Sequence, residues 1–538
     1  MRLRKLAWAA AVLTLLAGAL GAGLAGRQLL RDVKVRSLAA VSGAAETLLN
    51  FNARAPITNL NAPQAKTNGP LRVSPANPRY FEDSAGNIVY LTGSHTWLNL
   101  QGVSINSYTY TMDYAKFLDF LAEQNHNFFR LWMWEEAAWV TESGSPYRFN
   151  PMPYLRPGPG TALDGQPKFD LNQFNPQYFS LLRKRVQDAR SRGMYVSVML
   201  FNGWSISYPK GTYQLANPWR GHPYNKSNNI NGVNGDPDGN NSGDETHTLA
   251  LAAVTRLQEA YVRKVIDTVY DLDNVLFEIS NESPSGSEKW QYAMIDYIRS
   301  YEKSKGGVRH PVGMTVEWPD GNDADLYQSK ADWISINGGG QGLAYDQPAD
   351  GKKVVIADTD HLCGICGDRN WVWRMFTRGY NPIFMDQYDD GYKLEGGGYN
   401  INNPNDVSLR RNMGYTRYLA GCMDLKAAVP NGALASTGYA LANPSGANPE
   451  YLVYLPPGGA VRVNLSAAAG TLNYAWLNPA TGNVIRAKTI SGGSASQTFT
   501  PPFTGDAVLY IFTNNAKCYR YFDLPYNNRL PMVQNARQ

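Results

Sequence analysis

The stretch Val275-Leu276-Phe277-Glu278-Ile279-Ser280-Asn281-Glu282-Ser283 is a short apolar run that ends on Asn-Glu. Val275–Ser280 has the length and the β-branched and aromatic content of a strand, without strict alternation of apolar and polar residues. A strand hidden on both faces belongs to a parallel sheet covered by helices. The flanks agree. Leu249–Asp271 before it and Trp290–Lys303 after it carry the i, i+3, i+4 apolar spacing of amphipathic helices.

Outward from this unit the same rhythm repeats. Ile88–Thr92, Asn127–Met133 and Tyr195–Phe201 read as strands, with helices at Tyr114–Gln124 and Tyr178–Arg192. Downstream, Pro311–Val316, Trp333–Ile336, Val354–Ala357 and Ile383–Met385 are strands, the last preceded by the helical Trp371–Arg378. Eight strands mostly separated by helices predict an α/β fold, a (β/α)8 TIM barrel over residues 76–426. A doubly wound open sheet is the alternative, but no Gly-rich phosphate fingerprint follows the first strand. Helical periodicity stops near Lys426. Tyr451–Tyr454, Val461–Leu465, Leu472–Leu477, Asn483–Thr489, Ser496–Phe499 and Ala507–Phe512 are short strands between Gly/Pro turns. Residues 427–515 therefore read as a small all-β sandwich, and 516–538 as a polar tail.

The chain has 538 residues, more than one ordinary domain, which agrees with this division. Its net charge is +5, from 50 basic and 45 acidic residues, with no basic run in the body. Nucleic-acid binding has no electrostatic footprint here. At the N-terminus, Arg2, Arg4 and Lys5 precede an uncharged Ala/Leu/Gly stretch, Leu6–Gly26. That is the pattern of an export signal, and the stretch is also long enough to anchor in a bilayer. Residues 1–30 are read as a cleaved signal or a membrane anchor and 31–75 as a linker, with the remainder exported to the periplasm, cell surface or exterior.

In a barrel the reacting groups lie at the C-terminal ends of the strands. Here those ends carry His95 and Trp97, then Arg130, Trp132, Trp134 and Glu135, then Asn202 and Trp204, then Asn281 and Glu282. Glu317 and Trp318, Asn337, the run Asp358, Asp360 and His361, and finally Asp386 and Tyr388 complete the ring. Carboxylates, Trp, Asn and His in such a ring suit glycoside hydrolysis, which needs two carboxyl groups, stacking faces and hydroxyl partners. The chain has 33 Tyr and 13 Trp, and several of the Trp fall on this face.

Asn281-Glu282 past strand 4 resembles the retaining barrel glycosidases, in which that Glu is the acid/base and the Asn holds the sugar 2-hydroxyl. The resemblance puts the nucleophile after strand 7, on Asp358 behind Lys353-Val354-Val355-Ile356-Ala357, where the clan usually has Glu. Asn127-Phe128-Phe129-Arg130 matches the clan's Asn-x-x-Arg, whose Arg braces the nucleophile. Gly93–Trp97, Asn127–Glu135 and Met199–Trp204 are similar to the apiosidase-like barrel family. Tyr474–Gly482 is similar to the collagen-binding-type β-domain that accompanies it. Asp358–Leu362 and His222–Gly232 look like a subgroup motif. The reading that follows is an exported glycoside hydrolase with Glu282 as acid/base and Asp358 as second carboxylate. Asn281, Arg130, His95, Trp134, Trp204, Asp360, His361 and Asp386 would bind or position a glycan substrate, with no cofactor and no metal.

Alternatives stay open. Asp360 competes with Asp358, and Glu278 with Glu282, Glu278 also being readable as a structural carboxylate beneath the site. Asp is shorter than Glu, so the carboxyl gap could exceed the ~5–5.5 Å of a retaining pair and approach the ~6.5–9.5 Å of an inverting one. Cys363-Gly364-Ile365-Cys366 reads as a local disulfide, with zinc on His361, Cys363, Cys366 and Cys422 as the alternative. Asp236-x-Asp238-Gly239-Asn240 reads as a surface insertion that lacks the full calcium-loop pattern. The rival function is a non-catalytic carbohydrate- or matrix-binding protein on a barrel scaffold.

Overall fold

Eight parallel strands form the sheet that carries the site: β1 Gly93–His95, β2 Phe128–Leu131, β3 Tyr195–Asn202, β4 Val275–Asn281, β5 Val312–Thr315, β6 Trp333–Ser335, β7 Val354–Asp358 and β8 Asn381–Met385. The structure is a computed structural model and describes residues 66–105, 108–140, 146–206, 217–388, 401–486 and 489–514. Residues 1–65, where the export signal or anchor and most of the linker are expected, the expected tail and Cys518 lie outside the described residues. Among the described residues no helix is long and apolar enough to cross a membrane.

The hydrogen-bonded order is β1-β8-β7-β6-β5-β4-β3-β2, a barrel whose ladder is continuous except between β1 and β2. Asn127 bridges that seam. Its backbone N–H donates to Thr92 O at 3.0 Å, and its side chain accepts from Thr92 N and donates to Tyr90 O. Residue parity sorts the strands as expected for a filled barrel. Phe129, Val198, Phe277, Met314 and Val355 face the surrounding helices. Phe128, Tyr195, Leu276, Trp333, Val354, Ile356 and Ile383 fill the lower interior.

The helices are α1 Tyr114–Glu123, α2 Pro176–Ser191, α3 Ala252–Val269, α4 Glu288–Ser304, α5 Asp323–Gln328, α6 Arg369–Thr377 and α7 Pro404–Cys422. Their starts follow local chemistry. Asp113 caps α1 and Asn175 caps α2, each accepting from a first-turn N–H, and Pro176 fits the first position of α2.

Two expectations need correction. The strand expected at Ile88–Thr92 is not the first barrel strand. Ile88–Val89 pairs antiparallel with Phe81–Glu82, in a sheet that also holds Arg72–Val73. The barrel strand is Gly93–His95, because the seam is too tight for larger residues: a Cβ at Gly93 would lie 2.1 Å from Phe128 O. The second concerns α7, a 19-residue helix not among the expected elements, which only its Asn403-Pro404 start announces. It is buried on several sides, so polar Asp406, Arg410, Asn412 and Thr416 lie inward beside Leu409 and Met413 and no apolar stripe forms.

The C-terminal region is an antiparallel sheet in the order Val429–Pro430, Ala440–Asn443, Glu450–Leu455, Ala507–Phe512, Thr471–Leu477, Val484–Arg486, with Ile490–Ser491 also on Thr471–Leu477. Among the described residues its second layer is the pair Val461–Val463 and Gln497–Phe499. Tyr451, Val453, Trp476, Leu509 and Ile511 pack toward that pair. Leu452, Tyr454, Val508, Tyr510 and Phe512 pack toward Trp373 and Phe376 of α6 and Tyr415 and Leu419 of α7.

Candidate active site

Arg130 organises the C-terminal end of the barrel. It lies on the interior face of β2, two residues beyond Phe128, and is buried. Its Nε and Nη2 hold Glu278 of β4 at 3.0 and 2.5 Å. Nη1 holds Asp358 at 2.9 Å and Asp360 at 2.8 Å, and Nη2 also donates to Asn281 Oδ1 at 2.7 Å. Ser197 Oγ of β3 supports Glu278 at 3.2 Å. One planar guanidinium thus fixes groups from β4 and from the end of β7, which a point-charge ammonium would not do. Glu278 is held from two strands, as a structural carboxylate beneath the site would be.

Asp358 ends β7 and caps the four-residue turn Thr359–Leu362 by accepting the Asp360 N–H at 3.0 Å. His95 Nε2 contacts the same Oδ1 at 3.0 Å, while Arg130 holds Oδ2. Burial alone would raise the Asp358 carboxyl, but His95 and Arg130 outweigh it and hold the group well below the usual range. Asp360 shifts the opposite way. Burial, with help from the Asp358 charge, raises it despite Arg130. Of the two, Asp358 holds its proton the less tightly.

His361 is neutral at pH 7, because burial first and Arg130 second push it down to about 4. Its Nε2 is 3.2 Å from Asn281 Oδ1 and its Nδ1 2.8 Å from Ser335 Oγ. Asn281 Oδ1 already accepts from Arg130, so the His361 proton sits on Nε2 and Ser335 donates to Nδ1. The Asn281 amide is therefore oriented with Oδ1 inward and Nδ2 on the side of Asn202.

Glu282 follows β4 and is half-buried. Its φ is +42°, and the other positive-φ non-glycine residues among those described are Asn125 and Asn241. Asn tolerates that region; Glu does so only when its surroundings impose it. The neighbour that makes room is Gly203, where a Cβ would lie 2.0 Å from the Glu282 carbonyl oxygen. Glu282 is close enough to His361 for its charge to act on the ring.

Other members of the ring are held by partners of their own. His95 is fully buried and braces Asp358. Trp134 is core: it stacks on Phe149 at 4.8 Å and donates Nε1 to Trp97 O at 2.8 Å. Asp386 is buried in an ion pair with Arg410 of α7, at 2.9 and 3.1 Å. Burial, against Arg410, raises its carboxyl to about 6. Trp204 is half-buried, edge-on to Trp139, and Trp97 is half-buried too. Glu317 accepts from Ser287 Oγ and Gly286 N, and Asn337 caps the turn at Gly339.

Sequence reasoning passed over Ser335, Ser197 and Arg410. Ser197 and Ser335 share the interior parity of Tyr195 and Trp333, a signal available from strand alternation alone. Arg410 has none, because the inward face of α7 carries polar residues and forms no apolar stripe. Cys363 and Cys366 form the expected disulfide, and Cys422 is disulfide-bonded as well, so the zinc alternative has no thiols. In the Asp236–Asn241 loop the carboxylates accept the loop's own N–H groups from Gly239, Asn240 and Asn241.

Comparison with known proteins adds the following. Residues 141–336 match a domain of unknown function, DUF6298, and residues 435–511 match the "putative collagen-binding domain of a collagenase". No curated protein matches the chain. Among solved structures, a glycoside hydrolase family 5 protein from Bacteroides vulgatus ATCC 8482 superposes with a TM-score of 0.54 at 14% identity, covering 87% of this chain and 96% of that one. A second glycoside hydrolase gives 0.53 at 13% identity, covering 85% and 98%. At such identities the likeness is one of fold.

Proposed function

We propose that this protein is a glycoside hydrolase that cleaves O-glycosidic bonds with two carboxylates. The observation that carries the reading is the Arg130 cluster, which draws Glu278, Asp358, Asp360 and Asn281 onto one guanidinium at the catalytic end of the barrel. Glu282 would protonate the leaving oxygen. Asp358, held ionised by His95 and Arg130, would attack the anomeric carbon, and water would then release the sugar with Glu282 as base. Asn281, its amide NH2 turned away from Arg130, would hold a sugar hydroxyl. Trp204 and Trp97 are the half-buried rings that suit a stacking role. Retention of configuration is the reading we favour; a carboxyl gap near ~6.5–9.5 Å would instead support inversion. We further propose that the protein is exported, through residues 1–30, either released or anchored there.

A second reading, glycan binding without turnover, draws support from the burial of Asp358, whose side chain is 1% exposed. Hydrolysis of a glycan panel by the wild type, Glu282→Gln, Asp358→Asn and Asp360→Asn separates the two. The hydrolase reading expects losses of about 10²–10⁴-fold in the first two variants. Full activity in both sinks it. Binding by the wild type with no turnover supports the second reading. A larger loss in Asp360→Asn than in Asp358→Asn moves the nucleophile to Asp360.

A further inference from the structure

Glu135 lies beyond β2, is 5% exposed, and touches neither Arg130 nor Asp358 by any hydrogen bond described above. Its Oε1 accepts the Asn202 backbone N–H at 2.6 Å, and its Oε2 faces His222 Nε2 at 3.2 Å. The proton in the second contact can be placed. His222 Nδ1 accepts the Tyr224 N–H at 3.0 Å, so the ring proton is on Nε2 and points at Glu135. That also excludes a metal ion on His222 Nε2, because the ring would then carry no proton at all.

His247 approaches from the other side. Its Nε2 is 3.8 Å from Glu135 Oε1, and its Nδ1 is 3.1 Å from Ser283 Oγ. Burial, against the pull of Glu135, lowers the His247 pKa and favours the neutral ring. With the one proton on Nε2 toward the carboxylate, Nδ1 accepts from the Ser283 hydroxyl. Burial would raise Glu135, yet the hydrogen bond from His222 and the nearby His247 ring bring it down to about 2, so it stays ionised. The Glu135 backbone N–H, finally, donates to Ser205 Oγ at 3.2 Å.

These contacts converge. Asn202 and Ser205 are the two ends of the turn that contains Gly203, and Gly203 abuts the Glu282 carbonyl. Ser283 is the next residue after Glu282. Both walls of the left-handed Glu282 backbone therefore lead back to one carboxylate. We propose that Glu135 is a positioning residue for Glu282: through the Gly203 turn on one side and His247–Ser283 on the other, it imposes the backbone conformation that aims the Glu282 carboxyl. This rests on Glu282 being the general acid. An acid displaced by about 1 Å can lose on the order of 10²-fold in rate.

The test is Glu135→Gln. An amide cannot accept at both ends, so either Asn202 N–H or His222 Nε2–H meets a donor. Kinetics are compared on a glycan that the wild type hydrolyses and on a dinitrophenyl glycoside of the same sugar, whose leaving group needs no proton. We expect kcat on the glycan to fall about 10–100-fold with KM within about twofold, and the aryl glycoside to lose less than about threefold. Glu282→Gln should show the same split, more steeply. Equal loss on both substrates, or none, overturns the proposal. Full glycan activity in Glu282→Gln instead overturns the glycosidase reading itself. A readout free of turnover is the crystal structure of Glu135→Gln, where Glu282 should leave its φ near +42°; an unmoved Glu282 also overturns the proposal. If that variant fails to fold, Ser283→Ala cuts the His247 arm without disturbing a buried charge and should give the same split, smaller.

Discussion

Glu136 follows Glu135 in sequence and differs from it in chemistry. Both are buried, but Glu135 has partners for its charge while burial pushes Glu136 up to about 8, with Ser205 offsetting little. The sign follows from linkage. A carboxyl raised in the folded state binds a proton there that the unfolded chain has released, so stability falls as pH rises from about 4.5 to 8. Glu136→Gln removes the titration while keeping the shape. It should melt with the wild type at pH 4.5 and above it at pH 8.5, by up to about 4 kcal/mol. Thermal melts of both proteins at the two pH values decide it; an equal difference at both would refute the assignment. Arg130 gives the complementary case. Arg130→Lys keeps the charge but loses the fork, leaving buried carboxylates short of donors, and should cost about 3–5 kcal/mol in urea unfolding. A change under about 1 kcal/mol would mean that the cluster is not the brace described.

At the level of elements, the turn Gly203–Ser205 after β3 is the most sensitive joint. Gly203→Ala would place a methyl 2.0 Å from the Glu282 carbonyl oxygen, backbone against backbone. The turn or Glu282 must move, so glycan hydrolysis should drop about 10²-fold while stability falls by only about 1–3 kcal/mol. Wild-type kinetics in that variant would show that Glu282 does not need this geometry. The elements also show what a sequence can reveal. Strands β2 to β8 were legible because strands covered on both faces are written as continuous apolar runs, and the interior residues Arg130, Glu278 and Asp358 follow from a period of two. β1 was not, since Gly93-Ser94-His95 has small residues chosen for a tight seam while the stronger β-formers Ile88–Thr92 belong to a neighbouring sheet. Helix α7 was not, since its inward polar residues are satisfied by distant partners: Asp386 for Arg410, Trp373 and Pro479 for Asn412, Tyr90 for Thr416. In the site, residue types and strand ends were readable. Side-chain partners were not: His95 lies against Asp358, Trp134 on Phe149 and Asp386 on Arg410, contacts between residues far apart in the sequence.

The molecule as a whole is constrained by how the C-terminal sheet is covered. Alternate residues of Glu450–Leu455 and Ala507–Phe512 point to opposite sides, one set into the sheet's own second layer and the other onto α6 and α7. Neither face of these strands is free, so a partner of this domain would have to use its edges or loops. Arg369 of α6 clasps Asp506 with two 2.9 Å hydrogen bonds, and Trp373 stacks on Tyr454. The two regions thus share a core, which differs from domains joined only by a linker. A chain ending at residue 426 would leave Trp373, Phe376, Tyr415 and Leu419 without their cover, and α7, whose Arg410 holds Asp386 just past the end of β8, without its support. The expectation is one cooperative calorimetric transition for the intact protein, and loss of both soluble yield and hydrolytic activity on truncation at 426. Two resolved transitions, or a truncated barrel that stays soluble and active, would show that the sheet is an independent appendage and that the shared core contributes little to holding the active-site end in place.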